Sequence, residues 1–247
     1  MKSLVCGARL GFAAACLFAC ATQASVVVGA TRVIFPAQDG EVTVRLTNDN
    51  AKPALVEAWM DRGNLKSTPD TVDAPFLITP PLFRMEAHKD QSLRILAASP
   101  TLPADRESIF WLNVLEIPPK PTTAETLGKN TLQFAIRSRL KFFYRPDHLT
   151  GDPLKAPAQL TWKMVATDGG FALEVKNPTP YYITISELSL DSGGKHYEAD
   201  NGMVDPMGSL RLSVKGLTIA PSAGTHVAFD TINDYGASAS YTGQVAQ

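Results

Sequence analysis

Cysteine is nearly missing from this 247-residue sequence: Cys6, Cys16 and Cys20 are all it has, and none follows residue 20. Past that point there is no disulfide, no thiol nucleophile and no thiolate metal ligand, so stability must come from apolar cores. Histidine is scarce as well. His88, His148, His196 and His226 are scattered, none lies in an HExxH or similar ligand spacing, and none is tied by motif to a serine nucleophile. Gly169-Gly170 and Gly193-Gly194 lack the strand-to-helix setting of a phosphate loop and read as hairpin turns. No carboxylate pair is marked out as an acid and its base. These absences speak against an enzyme, a cofactor or a bound metal. A capped 3.6-residue period is also missing from every window of a dozen residues past the N-terminal segment, which excludes a helical fold.

What is present begins with an export signal. Lys2 and Arg9 precede an apolar run, Leu10 to Ala21, and Thr22-Gln23-Ala24 offers a small residue at the cleavage position before Ser25. The run is well short of the ~20 residues that span a bilayer, and no second one follows. A lipoprotein motif at Leu17-Phe18-Ala19-Cys20 is poorly served by bulky Phe18. Residues 1–24 are therefore expected to be a signal peptide and the product to be exported. Its removal takes two of the 23 basic residues and none of the 24 acidic ones, leaving a mildly acidic chain of 223 residues at −3. That balance favours neither nucleic acid nor insertion into an anionic membrane.

A chain of that length suits two domains of about 110 residues. Strand-like segments recur at short intervals: Arg32 to Phe35, Glu41 to Thr47, Leu55 to Asp61, Leu93 to Leu96 and Ser108 to Ile117. Asp39-Gly40, Asn48-Asp49-Asn50, Pro80-Pro81 and Pro118-Pro119 punctuate them. After a turn-rich linker near 146–156 a second series follows, with Leu160 to Met164, Phe171 to Lys176, Tyr181 to Leu190, Leu210 to Val214, His226 to Thr231 and Tyr241 to Val245. Many short strands with polar, Gly and Pro punctuation predict an all-β sandwich architecture. The most informative stretch is Asn130 to Pro146. Leu132, Phe134, Ile136, Leu140, Phe142 and Tyr144 share one face, broken by Ser138, while Gln133, Arg137, Arg139, Lys141 and Arg145 lie mostly opposite. At about twice the usual strand length of ~5–6 residues, such a strand outruns a small domain. Part of its apolar face and one backbone edge are then expected to stay open, as a binding site rather than an aggregation hazard.

Thr31-Arg32-Val33-Ile34-Phe35, the run from Leu102 to Asn113 continuing to Glu116-Ile117-Pro118-Pro119, Lys141 to Pro146, Asn177-Pro178-Thr179-Pro180-Tyr181-Tyr182 and Ile232-Asn233-Asp234-Tyr235-Gly236 together resemble the periplasmic chaperones of the chaperone-usher pilus pathway. The resemblance covers nearly all of the chain past the signal. It implies two immunoglobulin-like β-sandwich domains, 25–147 and 148–247, arranged as a boomerang with a cleft between them. The implied function is to bind and fold pilus subunits by donor-strand complementation and deliver them to an outer-membrane usher. Arg32 and Lys141 would anchor the subunit's C-terminal carboxylate, Leu132, Phe134 and Ile136 would be the donated side chains, and Glu107, Arg145 and Asp234 would form an interdomain ion-pair cluster. Self-association through the donor strand in the free protein is a further expectation. On the residues alone, Tyr181-Tyr182 also reads as an aromatic strand start. The stretch Lys120 to Thr131 is longer than in the shortest short-loop members, whereas the few residues before Thr31 favour the short-loop class, so the subclass stays open; the cysteine pair that some members carry in the second domain is absent. An exported pilus subunit or adhesin, and a periplasmic carbohydrate-active enzyme, are the alternatives. The first should be one incomplete sandwich and the second needs an acid pair in a cleft.

Overall fold

The computed structural model describes residues 26–98, 101–121, 132–167 and 169–246, so the expected signal, Asn130, Thr131 and most of the Lys120–Thr131 stretch lie outside the described residues. The first series of strands comprises β1 (Val26–Val28), β2 (Arg32–Pro36), β3 (Glu41–Asn48), β4 (Ala54–Asp61), β5 (Phe76–Thr79), β6 (Leu82–Met85), β7 (Asp90–Ala97), β8 (Ser108–Ile117) and β9 (Ile136–Arg145). They form two facing sheets, ordered β1-β3-β7-β5 and β2-β9-β8-β4-β6. Alternation explains the pairing of faces: along β3 and β7 the buried residues recur at every second position, Val44 and Leu46 on one, Leu93 and Ile95 on the other. Between the sheets lies an aromatic cluster. Phe76 meets Phe110 and Phe142 edge-on, each at 4.9 Å between ring centroids, and Phe35 at 5.6 Å.

The second series comprises β10 (Thr161–Thr167), β11 (Gly170–Lys176), β12 (Ile183–Ser192), β13 (Lys195–Glu198), β14 (Gly202–Val204), β15 (Ser209–Val214), β16 (His226–Ile232) and β17 (Ser238–Gln244). One sheet runs β10-β11-β15, the other β13-β12-β16-β17 with β14 beside β12. Its separate core is built on Trp162, packed 4.9 Å from Phe229, with Leu173, Val175, Ile185 and Val227 around them. Gly193 and Gly194, at φ +59° and +74°, make the two-residue hairpin between β12 and β13 that their sequence predicts. Five short strands, β1, β5, β6, β13 and β14, are not among the sequence expectations; at three or four residues each they are too short to show alternation.

The long strand differs from its expectation at one end. Its ladder starts at Ile136, opposite Glu116 on β8, and Leu132 to Ala135 carry no strand pairing. The reason is in the partner: past Ile117, β8 runs into Pro118-Pro119, which have no N–H to give. Leu140 and Phe142 are buried in the first core and Tyr144 packs against it, but Leu132, Phe134 and Ile136 on the same row are 78%, 69% and 44% exposed. β9 is also only half covered at its other edge. β2 pairs with it in parallel from Arg32 beside Lys141 to Pro36 beside Arg145, and among the described residues no strand pairs with residues 136–140 on that side.

The two halves of the row should answer differently to truncation. Phe142→Ala is expected to destabilise the first domain by about 3–5 kcal/mol, and Leu132→Ala to stay within about 0.5 kcal/mol of the parent, both measured by urea unfolding.

Candidate functional site

The vacant half-edge of β9 ends at two cations. Arg32 and Lys141 are side-by-side partners across β2 and β9, and both point to the second domain. The Arg32 guanidinium donates from Nη1 to the carbonyl of Ile232 at 2.8 Å, and Lys141 Nζ donates to Thr184 Oγ1 at 3.1 Å. Arg32 Nε is buried with no hydrogen-bond partner among the described residues. No carboxylate of the described residues forms an ion pair with either. Burial, and then the neighbouring Arg32 charge, pull the Lys141 ammonium down to about 8; burial lowers Arg32 too, against weaker opposition from Asp234 and Glu107. Two part-buried positive charges that donate only to neutral acceptors are chemically suited to an anion.

Beside them the remaining charges are matched. Arg145, at the end of β9, donates from Nε to Glu107 Oε1 at 2.7 Å and grips Asp234 through both Nη atoms, at 2.7 and 3.0 Å. Glu107 is 3% exposed, and its second oxygen accepts the backbone N–H of Tyr182 at 2.8 Å. Burial pushes the Glu107 carboxyl up despite Arg145, while for Arg145 burial is outweighed by its two carboxylates, which hold it above the usual arginine range. The cluster thus joins the start of β8, the end of β9 and the β16–β17 turn.

The sequence reading missed how the Asn177–Tyr182 segment serves this junction. Buried Asn177 folds the loop by donating to the carbonyls of Tyr181 and Asp205, at 2.7 and 3.0 Å, and accepting from Thr179 N–H and Oγ1. Pro180 then offers its carbonyl to Glu107 N–H at 2.9 Å. Tyr181 belongs to the second core, but Tyr182 turns to the first domain and lies 5.7 Å from Phe143, so β12 begins only at Ile183. Burial pushes the Tyr182 hydroxyl up to about 12. Phe143, buried on the face of β9 that otherwise carries charges, is the signal in the sequence that this face is covered at the hinge.

Comparison with known proteins fits this geometry. Residues 25–150 match the family described as pili and flagellar-assembly chaperone, PapD N-terminal domain, and residues 155–243 match pili assembly chaperone PapD, C-terminal domain. The chain is 44% identical over 243 residues to chaperone protein FimB/FhaD of Bordetella pertussis, covering 97% of this chain and 96% of that one. The crystal structure of the YadV chaperone superposes with a TM-score of 0.76 at 39% identity, over 90% of this chain and all of its own. A Salmonella enterica SafB chaperone, solved in complex with the SafA pilin, gives 0.73 at 30% identity over 91% and 99% of the two chains.

The depressed Lys141 gives a pH test with a definite sign. A base whose folded pKa lies below its unfolded value is penalised in its charged form, so its cost to stability is present below about pH 8 and is relieved as pH rises from there toward 10.5. Anion affinity of the cleft runs the other way and should fall as pH rises through about 8. Amine labelling of Lys141 across the pH range, read by mass spectrometry, should show a midpoint near 8; a midpoint at the ordinary lysine value would contradict the burial argument.

Proposed function

We propose, from the premise that this chain belongs to the PapD family of pilus-assembly chaperones, that its cleft takes the C-terminal carboxylate of a pilus subunit while β9 lends that subunit a strand. The chain is a chaperone of the chaperone-usher pathway and not an enzyme, and its fold is two immunoglobulin-like β-sandwiches set as a boomerang. The subunit, adhesin and carbohydrate-active enzyme alternatives are not favoured beside relatives that are named chaperones, one of them a probable fimbrial chaperone, and that match over 82–96% of their own length.

One observation carries the mechanistic reading: the vacant edge of β9, residues 136–140, stops at Arg32 and Lys141. A subunit strand added there in parallel continues the line of β2, and its chain end arrives against both cations. Charge-assisted hydrogen bonds from them contribute ~1.5–3 kcal/mol each and fix the register, since a slip by one residue would turn every lent side chain away from the subunit. Leu132, Phe134 and Ile136 are the lent side chains. Full burial of each in a subunit groove is worth ~1.5–3 kcal/mol. Glu107, Arg145 and Asp234 set the interdomain angle more than they add stability, because burying charges costs nearly what pairing returns.

Around this core the reading extends to the pathway. Residues 1–24 are the signal, domains 25–147 and 148–247 fold in the periplasm, and the loaded complex is handed to an outer-membrane usher. Among the described residues no helix is long and apolar enough to cross a membrane. The free protein protects its open strand by self-association.

Arg32→Ala and Lys141→Ala should each abolish subunit capture while leaving a folded periplasmic protein; normal capture by both at matched expression would refute the anchor. For the lent strand, Phe134→Asp places an unpaired charge in an apolar slot and should weaken the complex severely, with the melting temperature of the free protein nearly unchanged because Phe134 is exposed. Gln133→Asp should do far less. Loss of folding by Phe134→Asp would sink the donation reading.

A further inference from the structure

The chain's own N-terminal strand is a competitor for the vacant edge of β9. Carried backwards at its own register, the β2–β9 ladder would set Thr31 beside Leu140, Gly29 beside Ser138 and Val27 beside Ile136, covering the half-edge that has no strand. Val26-Val27-Val28 has strong β preference, and an open edge accepts any strand that reaches it. Instead the chain leaves β9 at Thr31, and β1 pairs antiparallel with β3, Val26 beside Asn48 and Val28 beside Leu46.

Two features hold it there. The first is a change of phase. In β2 the odd-numbered Val33 and Phe35 face the core, whereas in β1 Val26 is buried and Val28 packs on the core. Running on along β9 would turn both valines outward. The second is Glu116. It lies on the row of β8 that places Phe110, Leu112 and Val114 in the core, it is 6% exposed, and it stands opposite Ile136 in the β8–β9 ladder. Its Oε2 accepts the backbone N–H of Val26 at 2.9 Å, a bond across the sandwich between residues 90 apart in sequence. Gly29 adds a smaller constraint, donating its N–H to the Arg45 carbonyl at 2.9 Å, with an added Cβ only 3.3 Å from that oxygen.

We propose that Glu116 is a positioning residue for subunit capture: by holding Val26 it parks the N-terminal strand on β3 and keeps β1 from capping the edge of β9. This rests on the strand-lending reading above. The carboxylate touches no subunit and acts only by deciding between two pairings of one segment, a choice in which the core-facing valines and the buried hydrogen bond oppose the backbone groups of the open edge.

Because no cysteine follows residue 20, engineered pairs report each arrangement cleanly. Val27→Cys with Thr47→Cys should cross-link on periplasmic export of the otherwise unchanged chain. Val27→Cys with Ile136→Cys should stay reduced with Glu116 present, stay reduced with Glu116→Gln, which keeps an acceptor oxygen, and cross-link with Glu116→Ala. In the cysteine-free Glu116→Ala protein, the alternate amides of 136–140 that face the empty edge should gain protection from hydrogen exchange, by up to about tenfold where loss of the buried hydrogen bond makes the new pairing dominant. Cross-linking of the Val27–Ile136 pair in neither background, or equally in both, or unchanged exchange at 136–140, would overturn the proposal. If Glu116→Ala does not fold, Gly29→Val, which crowds the Arg45 carbonyl in the parked state, takes its place with the same expected outcomes. All these readouts use the free protein at dilutions where it is monomeric, so failure of strand lending, shown by normal capture with Phe134→Asp, is separable from failure of the parking device.

Discussion

A half-empty strand edge is the constraint on which the rest of this molecule depends. Every backbone N–H and C=O needs a partner, and a sheet edge that lacks one is open to any chain that can extend along it. In β9 the length left empty among the described residues is 136–140, with β8 paired along one side from Ile136 to Tyr144 and β2 closing the other side from Lys141 onward. The same strand contributes Leu140 and Phe142 to the first core, Lys141 to the cleft and Arg145 to the hinge. Period-2 alternation makes this division possible, because core-facing and cleft-facing side chains take alternate positions on one rigid element.

A strand with one edge empty needs its order from elsewhere, and the outer face of the sheet supplies it. Arg139 donates to Asp61 Oδ1 at 2.6 Å and lies 4.1 Å over the Trp111 ring. Arg137 donates twice to Asn113 Oδ1, at 2.9 and 2.7 Å, once to the Leu65 carbonyl at 3.0 Å, and stacks 4.7 Å over Trp59. Asp61 is 2% exposed; burial would push its carboxyl up, but bonds from Arg139, Asn113, Gly63 N–H and Ser67 outweigh it and hold it below the usual range. Trp59, Asn113 and Arg139 stand side by side across β4, β8 and β9. Side-chain bonds and stacking on this face thus fasten the segment whose backbone has a free side.

Much of this was legible in the sequence where a signal repeats. Alternation located β3, β4, β8, β9 and most of the second series, and the motifs at Arg32, Lys141, Glu107, Arg145 and Asp234 marked residues that the fold brings to one junction. What escaped has physical reasons. Arg137 and Arg139 look like solvated alternates because a buried network of tryptophan, asparagine and aspartate from two other strands leaves no local pattern. Tyr181-Tyr182 resembles the first residues of a strand, yet a loop tied by Asn177 sends the second ring to Phe143 in the other domain. The start of β9 was placed too early because periodicity describes a face and says nothing of whether a neighbour has N–H groups to offer; Pro118-Pro119, just past the end of β8, stop the ladder although the alternation runs on.

The charge arrangement of the cleft shows why the anchor and the hinge belong together. Three cations, Arg32, Lys141 and Arg145, share two carboxylates, Glu107 and Asp234, and both carboxylates are spent on Arg145. A resident carboxylate beside Arg32 would relieve its burial, and for that reason would compete with any acid arriving from outside. Neutral dipoles avoid the conflict: the Ile232 carbonyl and the Thr184 hydroxyl aim the cations without cancelling their charge. Under the proposed capture, an incoming carboxylate would meet groups already oriented and already stripped of much of their water, so little reordering would oppose its binding. Both dipoles come from the second domain, and Ile232 is two residues from Asp234, which grips Arg145 at the end of the same strand that bears Lys141. The orientation of Arg32 and Lys141 is therefore coupled to the interdomain junction: a change of angle large enough to break the Arg145–Asp234 grip would also pull the Ile232 carbonyl and the Thr184 hydroxyl away from them.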